Sequence, residues 1–497
     1  MSIDVTAPYA EMFAALLRQL SPADRANVRR CAVRLRAALP EPVLHDNVVL
    51  VAYGGGKDSS YSVAFVRAMQ LLLWSEHGIT FVLRCATNRQ AGMPPAVLAN
   101  IDRVYRALGL YDDPYCELLL IDGAEVGDFD VAVPPSPAAM SRSRTDVLLT
   151  GHRTGADARP TFCNACNLSM VNAFGLAAGH GGGVNVIVTG DSRQEQRAYL
   201  LWVNRLARRF AAGGRTAGRS GFKGFLQSLD DVSQVYFTDI HGAGPAVAER
   251  RISHAVPDDL QFFSIYEETE YSSGDHWELL TGFLGFDFDE LAFNFTESDC
   301  ANPALMAHLR GLKCERLYGR SYAEGLSEYV EFALELMRRK EFPEVLVSTM
   351  AARYRGADAV WALRARVNAF AHDAYQVGEE QLICMVYAPF VGRGAALDRF
   401  VSREYPARAG RLPELHRLLA GEGDVDRSDR DFLARVSGLS LDQLRTLYRS
   451  PATGPRATLP HRGSILEEIL VGDPHKSVIN TRHASAGPQV HELISGR

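Results

Sequence analysis

Residues 47–53, NVVLVAY, run straight into Gly54-Gly55-Gly56-Lys57-Asp58-Ser59-Ser60. No other feature limits the possible folds so tightly. A short β-branched apolar run of this kind reads as a strand buried on both faces, as in a parallel sheet. The glycines let the backbone reverse sharply and approach an anion with no Cβ in the way. The apolar pattern then predicts a helix over 60–74, whose unsatisfied N–H groups and positive dipole end face the turn. Ser59 and Ser60 add hydroxyl donors. Asp58 would repel a phosphate unless it held Mg²⁺ or capped the loop, so an acid here points to a nucleotide with its metal. The Walker pattern is absent, because the glycines are contiguous and Asp follows Lys. The dinucleotide fingerprint is absent as well.

Strand and helix alternate beyond this point. Strands are expected over 79–85, 116–121 and 184–189, and helices over 95–108, 168–178 and 195–210. That order argues for an α/β layer architecture with a parallel sheet. Two helices are expected before residue 45, the second capped by Ser21-Pro22. Residues 123–162, rich in Pro, Ser, Arg and Asp, read as a long functional loop or an insertion. Residues 211–224 read as a loop that orders on binding. Helices dominate from about residue 320, with 322–339 and 350–374 the clearest, a strand over 381–387, and a loop-like tail after 450. The expected units are 1–45, 46–340 and a mainly helical 341–497.

Composition narrows the class. The chain has 497 residues, 47% hydrophobic and 23% charged, which excludes fibrous and wholly disordered proteins. Its net charge of −6 gives no bulk attraction for nucleic acid, so tRNA is a less favoured partner than a small or carrier-borne substrate. No apolar stretch is long enough for a membrane helix, and the N-terminal residues do not read as a secretory signal. Eight cysteines are too few for a disulfide scaffold, so reduced thiols in a cytoplasmic protein are expected.

Cys163 and Cys166 are spaced C-x-x-C, which suits a metal or redox site. Cys300 and Cys314 are the candidates to complete it. Four thiolates would make a zinc site, and three with one open iron would fit a [4Fe–4S] cluster that carries a sulfide. A persulfide or redox pair is the other reading. Cys31, Cys85, Cys116 and Cys384 lie in apolar patterns and read as inert buried thiols. Gly179 to Gly183, with His180, reads as a helix end turning into a strand. Asp287, Asp289 and Glu290 read as a solvated acidic turn. Arg205, Arg208 and Arg209 read as a solvated helix face. Arg219 and Lys223 could close over phosphates or belong to a plain solvated loop.

Gly54-Gly55-Gly56-Lys57-Asp58-Ser59 resembles the S-G-G-x-D-S loop of the PP-loop ATP pyrophosphatases, with Gly54 in place of the family's first serine. Thr189-Gly190-Asp191 is similar to the T-G-x motif of the thiolating members. The order of phosphate loop, C-x-x-C and T-G-x resembles the 2-thiocytidine tRNA synthetase and N-acetyl sugar amidotransferase branches. The resemblance covers roughly residues 46–205. It implies an adenine-nucleotide alpha-hydrolase-like domain that binds ATP and Mg²⁺. ATP would be held by Gly54, Gly55, Gly56, Lys57, Asp58, Ser59, Ser60, Thr189 and Gly190, with Asp58, Ser59 and Asp191 as catalytic candidates. The implied chemistry is adenylation of a substrate oxygen with loss of pyrophosphate, then displacement of AMP by sulfur. Nitrogen from a partner glutaminase is the alternative, and a nucleotide-binding scaffold without catalysis is the third reading. A sulfur donor protein is the partner implied by the first.

Overall fold

In a computed structural model, the described residues are 6–188, 193–210, 221–267, 276–287, 291, 300–339, 342–422, 426–451, 464–472, 476–481 and 490–495. The chain builds a six-stranded sheet with helices around it. Its strands are β1 (Val48–Ala52), β2 (Val82–Asn88), β3 (Cys116–Asp122), β4 (Glu125–Asp128), β5 (Val186–Val188) and β6 (Gln261–Phe263). Their order across the sheet is β4-β3-β2-β1-β5-β6. All neighbours run parallel except β3 and β4, which form an antiparallel hairpin at one edge. The central strand β1 is buried on both faces, as its unbroken apolar run requires.

The chain grows outward from β1 to β2 and β3 on one side, then returns to place β5 on the other. The order therefore reverses beside β1, between β1 and β5. In open α/β sheets the crevice for a ligand lies at the carboxyl ends of the strands at such a reversal. The Gly54 to Ser60 turn leaves β1 at that end.

Several expectations change in three dimensions. Residues 123–162 are not a loop: they contain β4, the helix Pro137–Thr154 and the start of the helix Ala158–Gly179. Pro137 and Pro160 both lie in first helical turns, where a missing N–H costs nothing. The pair Cys163 and Cys166 therefore sits on a helix and not in a turn. The strand expected at 381–387 is the helix Glu379–Tyr387. Gln381 accepts from the Gly378 N–H at 2.7 Å and so caps its start. A short apolar run does not by itself separate a strand from a buried helix. Residues 221–241, partly assigned to a loop from sequence, form one helix, Gly221–His241. The tail carries the helix Ile465–Gly472 and the hairpin of β7 (Lys476–Thr481) and β8 (Val490–Ser495).

One apolar core joins the helices Pro137–Thr154 and Gly221–His241 to Asn302–Arg316, Tyr322–Arg339, Ala357–Tyr375 and Glu379–Tyr387. His152 lies in this core, fully buried, 5.1 Å from the Phe390 ring centroid. Neither of its ring nitrogens has a hydrogen-bond partner among the described residues. Burial pushes its pKa down to about 3. An unfolded histidine titrates near 6.5, so below that pH the unfolded chain takes up a proton that the native state refuses. The stabilisation is complete above pH 6.5 and is lost as pH falls toward 3, by roughly 5 kcal/mol in all. His152→Phe should therefore flatten the decline of stability between pH 6.5 and 4, measured by urea denaturation. Parallel declines in both proteins would show that His152 does not control it.

Candidate functional site

The turn after β1 is shaped by one glycine. Gly55 has φ +81°, in the left-handed region. A Cβ there would lie 2.7 Å from Val97 Cγ1 and 2.9 Å from Ile101 Cγ1, on the helix Pro95–Ala107. Gly55→Ala should cost both left-handed strain, about 1–2 kcal/mol, and displacement of that helix. A melting curve unchanged from the parent protein would contradict this.

Gly56 is the N-cap of the helix Lys57–His77 and brings no side chain to the cap. The first-turn amides of a helix have no intrahelical acceptor, and the dipole adds partial positive charge there. Lys57 is almost fully buried, and its Nζ donates to Asp58 Oδ1 at 2.7 Å. It also lies over the Phe342 ring, 5.5 Å from the centroid. The two charges offset one another, so the helix terminus is left as the chief attractor for an anion. The Asp58 side chain is 30% exposed against 1% for Lys57, so the carboxylate can reach a metal or solvent.

The serines divide their roles. Ser60 is buried, and its hydroxyl donates to the Gly56 carbonyl at 2.8 Å. Its one proton is thereby used, so Tyr53 is the donor in their 2.9 Å contact. Ser60 thus braces the loop from the core side, a different place from the ligand-facing one expected for it. Ser59 also donates to Gly56 O, at 3.0 Å, but is only partly buried and can turn outward.

Beside this loop, at the carboxyl end of β2, lies a residue that sequence reasoning missed. Asn88 is 8% exposed, and neither its amide nitrogen nor its amide oxygen has a partner among the described residues. A buried amide left without hydrogen bonds costs about 1–3 kcal/mol. Its signal was the polar tail Thr87-Asn88-Arg89-Gln90 on an otherwise apolar strand. Thr189, Gly190 and Asp191 lie outside the described residues, as do Asp289, Glu290 and Arg219.

The same strand end carries the cysteines. Cys166 touches Gln90 Oε1, and the Ala301 N–H donates to Gly92 O at 2.8 Å, which brings Cys300 to the same segment. The Tyr375 hydroxyl donates to Asn302 Oδ1 at 2.8 Å. Burial pushes the Tyr375 phenol well above its usual range, and negative charge at Cys166, Cys300 and Cys163 acts in the same direction. Cys163 and Cys300 act likewise on the buried Tyr329. Cys163 and Cys166, one helical turn apart, and Cys300 therefore all lie near the segment that follows β2.

Cys314 does not join them. It lies twelve residues beyond Asn302 on the helix Asn302–Arg316, about 18 Å along its axis at 1.5 Å per residue. Its Sγ faces the backbone of Gly325 instead, where an added Cβ would come within 2.8 Å. The four-thiolate zinc set expected from sequence is thus not assembled. Among the described residues, no three His, Cys, Asp or Glu side chains form a ready metal site.

Of the four thiols expected to be buried, Cys116 is partly exposed. Cys31, Cys85 and Cys384 are completely buried, and burial pushes Cys85 up to about 12. Gly181, Gly182 and Gly183 all have positive φ in the turn that ends the helix Ala158–Gly179. Arg205 and Arg209 pair with Glu468, and Lys223 pairs with the exposed Asp258 at 2.7 Å. Asp287 is held through its backbone by Asn100.

A cavity of about 470 Å³ opens next to Cys166 and Tyr375, lined in part by the segment 89–95. Among the described residues no helix is long and apolar enough to cross a membrane. Comparison of the chain with protein-family models, curated proteins and solved structures finds no match.

Proposed function

We propose that this chain is an AMP-forming enzyme of the PP-loop ATP pyrophosphatase type, which adenylates a substrate oxygen and then transfers sulfur. One observation carries the reading: a glycine turn with Lys57, Asp58 and Ser59 leaves the central strand where the strand order reverses. A helix start at that point suits a pyrophosphate leaving group.

The residues fit ATP in two further ways. Gly55 keeps the backbone bare of side chain at its tightest point. Asn88, orphaned beside the loop, offers one donor and one acceptor, the pattern that an asparagine amide uses to pair with an adenine edge. Asp58 would hold Mg²⁺, which neutralises charge developing on the pyrophosphate. Lys57 would hold the Asp58 carboxylate in place. Ser59 would hand its hydroxyl from Gly56 O to a phosphate oxygen.

Cys163, Cys166 and Cys300 favour sulfur over nitrogen as the nucleophile. Three neighbouring thiols suit a [4Fe–4S] cluster with an open iron, which would supply the sulfide, or a persulfide carrier with a resolving partner. Binding of a cluster would require the three thiols to draw together from where they now stand.

The deciding experiment is product analysis with ATP, Mg²⁺ and candidate substrates. AMP and pyrophosphate are expected. ADP and phosphate alone would rule out adenylation. Metal analysis and the visible spectrum of anaerobically purified protein would separate cluster from persulfide.

A further inference from the structure

The cavity beside Cys166 has a chemical character of its own. Its size, about 470 Å³, is that of a small-molecule pocket. Much of its wall is apolar, with Met140, Phe162, Phe237 and Phe370 as the large contacts. Cys166 supplies a thiol to the same wall.

Four arginines line it, and three are already committed. Arg89 forks onto Asp122 at 2.8 and 3.1 Å and donates to the Pro134 carbonyl at 3.0 Å. Arg250 pairs with Asp146 at 2.8 Å, and His241 holds the same carboxylate at 2.7 Å. Arg251 pairs with Asp230. Arg142 is different. Its guanidinium donates to the Glu249 carbonyl at 3.2 Å, and it forms no ion pair among the described residues. The bend at Gly123, φ +68°, leaves room for it, since Nη2 stands 3.0 Å from where a Cβ would be. A half-buried guanidinium without a carboxylate is a fork-shaped donor site for one.

We infer that this cavity is the acceptor pocket and takes a small, largely apolar or aromatic carboxylate, with its charge on Arg142 and its body against Phe162, Phe237 and Phe370. This rests on the function proposed above for the word acceptor, but the binding itself does not. A volume of this size admits no folded RNA, which favours a free metabolite.

The test uses Cys166 as a reporter. The full chain is alkylated with N-ethylmaleimide, and modification of Cys166 is followed by mass spectrometry. The probes are a panel of aromatic monocarboxylates, from 3-phenylpropionate to 2-naphthoate, each beside its neutral amide. At least one acid should slow modification of Cys166 at millimolar concentration, at least tenfold more effectively than its amide. Arg142→Gln should abolish that preference, whereas Asp58→Asn should retain it. Protection by acid and amide alike, or by no acid of the panel, would overturn the inference. Acid-selective protection without any AMP formation would leave the pocket standing and remove the adenylation reading.

Discussion

Asp58→Ala should lower pyrophosphate release from ATP by roughly 10²–10³-fold, about 3–4 kcal/mol of transition-state stabilisation. Asp58 stands in the first turn of the helix behind the glycine loop, and it is the only acid of that loop. Its loss removes a metal-side carboxylate where charge develops on the leaving group. It also takes a neutralising partner from Lys57, whose ammonium is buried. Asp58→Asn separates the two effects. The amide oxygen can still accept from Lys57 Nζ, so the fold should hold while turnover falls. Ser59→Ala should lose less, since Ser59 bonds the loop's own carbonyl without ligand. Both proteins should melt within a few degrees of the parent. Unchanged turnover in Asp58→Ala and Ser59→Ala would remove the phosphate-loop assignment.

The second large effect is on stability. Asp113 pairs with Arg67 Nη2 at 2.7 Å, and both side chains are 2% exposed. The same carboxylate accepts from the Tyr115 N–H at 2.8 Å and from the Tyr9 hydroxyl. Arg67 is further held by Gln70 Oε1 at 2.6 Å and lies over the Tyr9 ring. Tyr9 belongs to the first helix, Thr6–Gln19, so this network ties the start of the chain to the turn before β3. Asp113→Ala strands a buried guanidinium and should cost about 3–5 kcal/mol, read from urea denaturation. The double variant Arg67→Met, Asp113→Leu removes both charges and should recover most of that loss. A single-variant cost below about 1 kcal/mol would show that water reaches Arg67 after all.

The strand β1, its glycine turn and the helix behind it were legible in the sequence because each is a local matter. Six apolar or β-branched residues, three glycines and a helical repeat carry their conformations within about 25 residues. Sequence also foretold the α/β class, since alternating runs leave few other ways to bury themselves. Sequence placed Cys163 and Cys166 on one side of the chain, and spacing i, i+3 does this on a helix as well as in a turn. What lay beyond it depends on residues distant along the chain. Whether β5 falls beside β1 or beyond β3 decides where the crevice opens, and only sheet pairing settles that. Sequence offered Cys300 first and Cys314 second as partners of the pair. Cys300, just before the helix Asn302–Arg316, lies by the segment that follows β2, and the helix carries Cys314 about 18 Å further along its axis, a consequence of axial rise and not of composition. The amide of Asn88 and the guanidinium of Arg142 are ordinary residues in the sequence. Among the described residues Asn88 lacks a hydrogen-bond partner and Arg142 an ion pair, and such a lack is a property of the packed structure alone.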